Sequence, residues 1–218
     1  MLCYIMGAGE RSGRFLPGGD DFVIAADAGY AALIEKGIIP DLVVGDFDSL
    51  GNVPEHPNVM RSPAEKDDTD MMLAVKQGLA RGCKAFIIDG GLGGRLDHTL
   101  ANIQVLKAIS QNDAHGVLLG RDACITAVTD NTVSFGPAAS GIISIFALGE
   151  KAEGVTLTGL KYTLDNATLA DNYPIGISNE FTGKPATVTV RCGTLLVVWA
   201  GENPELGGKN EEIQRCYI

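Results

Sequence analysis

The stretch Ala85-Phe86-Ile87-Ile88-Asp89-Gly90-Gly91-Leu92-Gly93-Gly94-Arg95-Leu96-Asp97-His98 decides the fold class of this chain. It begins as an apolar run typical of a strand that is buried on both faces, and a helical repeat starts at Leu96. A strand that leads into a helix is the repeating unit of an α/β fold. Because glycines let backbone N–H groups approach a phosphate, and a helix start adds its positive end, the junction is also a candidate anion site.

The same alternation of strand and helix extends over roughly the first 130 residues. Short β-branched and aliphatic runs predict further strands at Leu2–Met6, Phe22–Ala26, Leu42–Val44 and Val117–Leu119. Helical patterns between the strands cover Ala28–Lys36, Asp68–Ala80 and Leu96–Ile109. We therefore expect an α/β N-terminal domain, residues 1–130, with a mostly parallel sheet and helices on both faces.

A different pattern fills residues 131–218, where short strands are separated by Gly, Pro, Asn and Asp. The predicted strands are Ile142–Leu148, Val155–Leu160, Ala186–Arg191 and Thr194–Ala200. Cys192-Gly193 is expected to close a hairpin between the last two. No helical period of useful length is present, so this part predicts an all-β domain, a sandwich.

Composition excludes several classes of protein. The formal charge of −10 disfavours nucleic acid and anionic membranes as partners. No apolar run approaches the roughly 20 residues that span a bilayer, and the N-terminus lacks the basic segment of a signal peptide. Five cysteines lie far apart without a C-x-x-C pair, which argues against a disulfide framework and a zinc site. We therefore expect a cytoplasmic protein that binds neither nucleic acid nor membrane.

Two aspartates follow the predicted strand Leu42–Val44 in the segment Gly45-Asp46-Phe47-Asp48-Ser49. In an extended chain, carboxylates at i and i+2 point the same way, about 7 Å apart. The carboxyl ends of strands are where open α/β sheets bind ligands. With only three histidines, none at ligand spacing to another, a bound metal would be oxygen-ligated, which favours Mg²⁺ or Mn²⁺. A simple turn, permitted by Gly45, explains the same residues equally well.

A second acidic segment, Lys66-Asp67-Asp68-Thr69-Asp70, opens the helix that follows it. Acids and Thr at a helix start also cap the helix and oppose its dipole, which is the competing interpretation. Three acids within four positions exceed what capping needs, and their repulsion favours a cation between them. Lys66 is a candidate phosphate ligand.

Behind the glycines of the opening stretch, Arg95 suits contact with a phosphate. Asp97 suits either Mg²⁺ binding through water or a hydrogen bond to His98, and His98 serves either catalysis or the fold. Met6–Gly13 is a weaker candidate phosphate loop, and Asp27 ends the second strand, where it is also a potential helix cap.

The all-β part contains one polar step, Gly176-Ile177-Ser178-Asn179-Glu180-Phe181, for which composition alone favours a turn. Trp199, the only tryptophan, lies in an apolar strand and is by default a core residue.

In their order along the chain, these segments resemble the thiamine pyrophosphokinase family. The shared motifs are A-D-x-G at Asp27, G-D-x-D-S at 45–49, K-D-x-T-D at 66–70, G-G-R-x-D-H at 93–98 and G-x-S-N-E at 176–180. The chain departs from the family at Ala28, where glycine is usual, which weakens the detailed assignment around Asp27.

The resemblance implies Mg²⁺-dependent transfer of diphosphate from ATP to the hydroxyl of thiamine, which gives AMP and thiamine diphosphate. It implies a homodimer whose active sites lie between subunits. Asp46, Asp48 and Asp70 would hold Mg²⁺ and, with Asp97, form the catalytic set, while Asp68 would be a cap or supporting residue. The expected ATP and phosphate contacts are Asp27, Lys66, Gly94, Arg95 and His98; the expected thiamine contacts are Ser178 and Asn179, with Trp199 as a loose aromatic candidate.

Phosphoryl transfer needs little covalent help but much charge neutralisation and alignment, which carboxylate-bound Mg²⁺ and Arg or Lys supply. Two other functions use the same apparatus. One is a pyrophosphokinase for another hydroxymethyl heterocycle, such as a pterin. The other is a regulator that binds a nucleotide without turnover. The number of acidic residues that could bind a metal argues against it, because a protein that only binds a nucleotide needs fewer.

Overall fold

A computed structural model describes residues 1–47, 54–61 and 67–200 of the chain. The chain separates into two compact units. The first consists of Met1–Val105 with Leu118–Arg121, and the second of Leu106–Val117 with the described residues from Asp122 onward. Within the described ranges, no helix combines the length and the apolar character that crossing a membrane would require.

The first half of the chain alternates strands and helices as the sequence predicts. The strands are β1 (Leu2–Met6), β2 (Phe22–Ala26), β3 (Leu42–Gly45), β4 (Val59–Arg61), β5 (Ala85–Asp89) and β6 (His115–Leu119). The helices are α1 (Gly29–Glu35), α2 (Asp70–Ala80) and α3 (Leu96–Gln111). Among these elements β4, a three-residue strand with two apolar residues, is the one without a counterpart in the sequence-based prediction.

The sheet of the first unit is parallel, in the order β5-β1-β2-β3-β4. Every residue of β1, β2 and β5 is buried, because helices cover a parallel sheet on both faces. The helix α2 packs closely on this sheet: a Cβ at Gly78 would lie 2.5 Å from the Phe86 ring and 3.1 Å from Cys3 Sγ. The predicted α/β architecture is therefore confirmed, and it collects the carboxyl ends of β1, β2, β3 and β5 at one edge of the sheet.

The second unit is an antiparallel β structure. Its strands are β7 (Ala123–Thr129), β8 (Thr132–Phe135), β9 (Ile142–Ala147), β10 (Lys151–Thr158), β11 (Leu164–Ala170), β12 (Asn179–Glu180), β13 (Ala186–Thr189) and β14 (Thr194–Ala200). They form one group in the order β12-β9-β14-β7 and a second sheet in the order β11-β10-β13-β8. The predicted sandwich is confirmed, with Trp199, Val188 and Leu157 among its buried residues.

The hairpin predicted at Cys192-Gly193 is wrong. β13 pairs with β10 and β8, whereas β14 pairs with β7 and β9, so the turn carries the chain from one sheet to the other. Cys192 exchanges two backbone hydrogen bonds with Glu153, and the Gly193 N–H donates to the Asp130 carboxylate at 2.7 Å. Alternating apolar residues on both sides of a glycine fit a sheet-to-sheet crossing as well as a hairpin, and the partner strands decide between them.

Candidate functional site

A cavity of about 370 Å³ lies in the first unit, where β1, β2 and β5 end and α2 and α3 begin. Six glycines and three alanines line it, so much of its wall is bare backbone. The remaining lining residues carry polar or flexible side chains: Asp27, Thr69, Asp70, Met71, Arg95, His98 and Asn102. Its position at the carboxyl ends of parallel strands is where α/β sheets bind ligands.

Two glycine-rich turns, one after β1 and one after β5, form the floor of this cavity. The Gly7 N–H donates to the Asp89 carbonyl oxygen and the Gly9 N–H to the Gly90 carbonyl oxygen, each at 2.7 Å. A Cβ at Gly7 would lie 2.6 Å from that Gly90 oxygen, closer than side-chain carbons approach backbone. Glycine is therefore required here because the two backbones lie against each other, and the turns form one continuous surface.

The Asp89 carboxylate holds these two turns together through hydrogen bonds. It is fully buried and accepts hydrogen bonds from the Ser12 N–H at 2.8 Å, the Ser12 hydroxyl at 2.9 Å and the Gly90 N–H at 2.8 Å. The Ser12 Oγ in turn accepts from the Arg14 N–H at 3.0 Å. Sequence reasoning assigned Asp89 only to the strand. The signal that could have indicated its role is an acidic residue at the end of a buried strand, directly before a glycine-rich turn.

Asp27 and Asp46 follow the neighbouring strands β2 and β3. The Asp27 N–H donates to the Val44 carbonyl oxygen at 2.8 Å, and its φ of +50° lies in the left-handed region. Asp27 is half-buried and lines the cavity. Asp46 is half-buried, directly beyond Gly45, but it is not among the cavity-lining residues. Asp48, the second aspartate predicted for this loop, lies outside the described residues.

Three residues of the second acidic segment have different roles: one caps a helix, one forms an ion pair and one lines the cavity. The Thr69 hydroxyl caps α2 by accepting a hydrogen bond from the Met72 N–H at 3.1 Å. Asp68 pairs with Lys76 Nζ at 2.5 Å. Asp70, half-buried in the first turn of α2, lines the cavity together with Asp27. Lys66 lies outside the described residues.

The donor set at this edge fits Mg²⁺. In the described part of the chain, no three His, Cys, Asp or Glu side chains converge as a ready-made metal site. Mg²⁺ does not need such a set, because it binds through one or two carboxylates and completes its octahedron with substrate phosphates and water. Asp27 and Asp70 offer carboxylate oxygens to one cavity.

Arg95 and Asp97 form an exposed, two-point ion pair at the start of α3. Arg95 Nη2 lies 2.6 Å and Nε 3.1 Å from the two carboxylate oxygens of Asp97. The hydrogen bond raises the pKa of Arg95 and lowers the pKa of Asp97. Arg95 also lines the cavity, so this charged donor is held at its rim, beside Gly94 and the exposed His98.

The two predicted thiamine contacts lie in the second unit. Ser178 is exposed, has a φ of +58°, and its N–H donates to the Ser144 hydroxyl at 3.1 Å. Asn179 is 3% exposed, and its amide oxygen accepts from the Tyr162 and Glu180 N–H groups, both at 2.9 Å. Its Nδ2 donates to the Tyr162 carbonyl oxygen at 2.6 Å. Asn179 therefore fixes the backbone beside Tyr162, whose side chain is exposed.

Trp199 is 2% exposed, and its ring packs edge-on against Phe135 with ring centres 5.6 Å apart. Its default assignment as a core residue is confirmed.

The cavity thus brings together five of the predicted catalytic or ligand-binding residues, Asp27, Asp70, Gly94, Arg95 and His98, with glycines of both candidate phosphate loops. It adds Asn102, which sequence reasoning missed. Asn102 lies four residues after His98 on α3, so the two share a helix face, and this spacing was the signal that could have found it.

Comparisons with known proteins agree on one family. Residues 18–118 match the model of the thiamin pyrophosphokinase catalytic domain, and residues 131–195 match that of the thiamin pyrophosphokinase vitamin B1 binding domain. Thiamine pyrophosphokinase of Bacillus subtilis is 31% identical over 189 residues, which cover 80% of this chain and 85% of the relative.

Solved structures give the same result. The thiamine pyrophosphokinase of Bacillus subtilis superposes with a TM-score of 0.80 at 26% identity, over 93% of this chain and 100% of that chain. The thiamin pyrophosphokinase of Geobacillus thermodenitrificans superposes with a TM-score of 0.79 at 28% identity, over 93% of this chain and 99% of that chain.

Proposed function

The chain belongs to the thiamine pyrophosphokinase family, and from that membership we propose that it transfers diphosphate from ATP to the hydroxyl of thiamine with the help of Mg²⁺. It is a thiamine diphosphokinase, an enzyme that forms thiamine diphosphate from thiamine. The proposal concerns the donor, the metal and the second product, AMP.

The observation that carries the proposal is the pairing of two carboxylates with two glycine turns in one cavity. Asp27 and Asp70 supply negative oxygens, whereas the turns after β1 and β5 expose backbone at the carboxyl edge of the sheet. The Gly7, Gly9 and Gly90 N–H groups donate within the turns, so donors to an anion come from Gly93, Gly94 and Arg95. Carboxylates alone would repel a triphosphate, and such donors alone would bind any anion. Together they suit a metal-bound polyphosphate.

We propose that Asp46, Asp48 and Asp70 hold Mg²⁺, with Asp27 near the nucleotide. When bound, the metal neutralises charge on the phosphate oxygens. The protein contributes position: β3 fixes Asp46, and the Thr69 cap fixes the first turn of α2, which carries Asp70. Asp46 follows β3 and Asp70 opens α2, so the fold rather than a local loop sets the spacing of these two residues.

We propose that Arg95 and Lys66 contact the phosphates, together with backbone at Gly94 and the ring of His98. Asp97 orients Arg95 through the two-point ion pair, and Arg95 lines the cavity, where its remaining N–H groups would donate to phosphate oxygens. In the reaction, the thiamine oxygen bonds to the β-phosphorus, and the bond from that phosphorus to the oxygen of the departing AMP breaks. We propose that the hydroxyl proton passes to one of the carboxylates of Asp46, Asp48, Asp68 and Asp70.

Thiamine is proposed to bind at Ser178 and Asn179 of the second unit. The Ser178 side chain is exposed and accessible to a ligand, and Asn179 supports the neighbouring backbone by its hydrogen bonds to Tyr162. We further propose a homodimer in the cytoplasm, with residues 1–130 as the catalytic domain and residues 131–218 as the thiamine-binding and dimerisation domain.

The test is an acceptor comparison with purified protein. With Mg-ATP, thiamine should be converted to thiamine diphosphate with release of one AMP per product, measured by chromatography. A hydroxymethylpterin should give no product, and excess chelator should stop the reaction until Mg²⁺ is restored. Turnover with the pterin but not with thiamine, or nucleotide binding without turnover, would contradict the proposal.

A further inference from the structure

Asn102 is an unusual residue of the cavity because its side chain is buried and only half satisfied. It is 7% exposed, and its Nδ2 donates to the Gly91 carbonyl oxygen at 2.7 Å. Since a carbonyl can only accept, this hydrogen bond fixes which end of the amide carries the nitrogen. Among the described residues no donor reaches the amide oxygen, and Asn102 is one of the residues that line the cavity.

A buried amide oxygen without a donor favours a ligand that brings one. It would repel phosphate oxygens, which are acceptors too. The phosphates therefore belong elsewhere, and the cavity offers such a place: Gly93, Gly94 and Arg95 are exposed at the rim, whereas Asn102 and Gly91 are buried. Asn102, at the buried end of the cavity, is consequently suited to a neutral part of the ligand that carries a hydrogen-bond donor.

The wall around Asn102 suits a flat ring. Gly7, Gly90 and Gly91 are buried in the lining and have no side chains, and Ala101 has only a methyl group. We infer that Asn102 selects the nucleotide by its base, its amide oxygen accepting a hydrogen bond from the exocyclic amino group of adenine. This inference rests on the proposed function for the presence of a nucleotide.

The amide cannot adapt to a base that carries an oxo group at the same position. Rotation by half a turn would point nitrogen at the ligand, but it would also set the amide oxygen against the Gly91 carbonyl oxygen and leave that acceptor unpaired. A 6-oxo purine therefore meets either a repulsive oxygen or a broken internal hydrogen bond. The 6-oxo purine therefore loses one buried hydrogen bond and leaves an acceptor unpaired, which should weaken its binding about 10- to 100-fold relative to adenine.

Thiamine also carries an exocyclic amino group, on its pyrimidine ring. The experiment must therefore distinguish the amino group of adenine from that of thiamine as the donor to Asn102. Isothermal titration calorimetry with the full chain and Mg²⁺ would compare ATP, ITP and the triphosphate of purine riboside, which lacks any group at position 6. A second arm would compare thiamine with its analogue that has oxygen in place of the amino group. The variants are Asn102→Ala and, as control, Gln104→Ala, an exposed amide on the same helix.

Wild-type protein should bind ATP about 10- to 100-fold more tightly than ITP, with purine riboside triphosphate between them. Asn102→Ala should bring ATP and ITP close to equal affinity, and Gln104→Ala should keep the wild-type ratio. Equal affinities in the wild type, or an unchanged ratio in Asn102→Ala, would overturn the inference.

An effect of Asn102→Ala confined to the thiamine arm would also overturn it. If Asn102→Ala does not fold, the order of the three nucleotides on the wild-type protein decides alone. Binding is measured without an acceptor, so a failure of diphosphate transfer would overturn the proposed function and leave this preference measurable.

Discussion

The carboxylate of Asp89 receives both the backbone N–H and the hydroxyl of Ser12, at 2.8 and 2.9 Å, across 77 positions of the sequence. The pair joins the turn after β1 to the end of β5, and the same carboxylate oxygen that accepts from the Ser12 N–H also accepts from the Gly90 N–H. Asp89 does not line the cavity, yet both turns that form its floor depend on it.

Asp89→Ala should therefore destabilise the protein and weaken nucleotide binding. It leaves two backbone N–H groups without an acceptor, which predicts a loss of about 2 to 4 kcal/mol in the free energy of unfolding. Asp89→Asn keeps one oxygen in place and should lose less. Denaturant unfolding gives the stabilities, and the KM for ATP should rise while the KM for thiamine stays constant. Equal stability of Asp89→Ala and wild type would refute this account.

Gly9→Ala should disturb the floor of the cavity in the same way. The new Cβ would lie 2.6 Å from the Leu92 carbonyl oxygen and 2.7 Å from that of Gly90, so the two turns must separate. We expect a loss of about 1 to 3 kcal/mol and a raised KM for ATP. Gly19→Ala is the matched control, since a Cβ there meets nothing within 4 Å. Identical behaviour of the two variants would show that the turns are not held in contact.

Asp70→Asn should lower kcat by about 100-fold or more, because it removes a proposed metal ligand while keeping the shape of the side chain. Asp46→Asn and Asp48→Asn should have similar effects, with the fold intact by circular dichroism. Asp20→Asn is the control and should retain activity, because Asp20 is an exposed acid that lies outside the candidate motifs and does not line the cavity. Raising the Mg²⁺ concentration should partly restore Asp70→Asn, and wild-type rates in this variant would exclude Asp70 from the metal site.

The stability of the protein should fall in mild acid through His115. Burial lowers the pKa of His115, so below its ordinary value of about 6.5 the unfolded chain takes up a proton that the folded chain refuses. The stability from this residue is complete above pH 6.5 and is lost as pH falls towards the folded pKa. Unfolding measured from pH 8 to 5 should show a steeper decline for wild type than for His115→Gln. Parallel curves would contradict this assignment.

The sequence predicts the first unit well because its strands are continuous apolar runs. β1, β2 and β5 match their predicted bounds to the residue, since full burial on both faces makes each an apolar run, interrupted only by Asp89 at the end of β5. The same reasoning misses β7, β8, β11 and β12 of the second unit. In β11, Leu-Asp-Asn-Ala-Thr-Leu-Ala, most residues are exposed or half-buried. The same reasoning also misplaces the partner of β14, because a local pattern does not encode which distant strand pairs with it.

Some residues of the candidate site could likewise be predicted from the sequence, and others could not. Asp27, Asp70 and Arg95 are visible in sequence because each stands at the end of a strand or the start of a helix. Asp89 and Asn102 are not, since each looks like an ordinary member of its strand or helix. Their importance comes from contacts with Ser12 and Gly91, and only the fold brings those residues together.

Phosphorus NMR of the protein with Mg-ATP and thiamine tests the central claim most directly, because it identifies every phosphorus-containing product in one sample. Diphosphate transfer predicts that the signals of AMP and thiamine diphosphate grow together in equal amounts as the signals of ATP decline. Accumulation of ADP, thiamine monophosphate or orthophosphate as the initial product would contradict it.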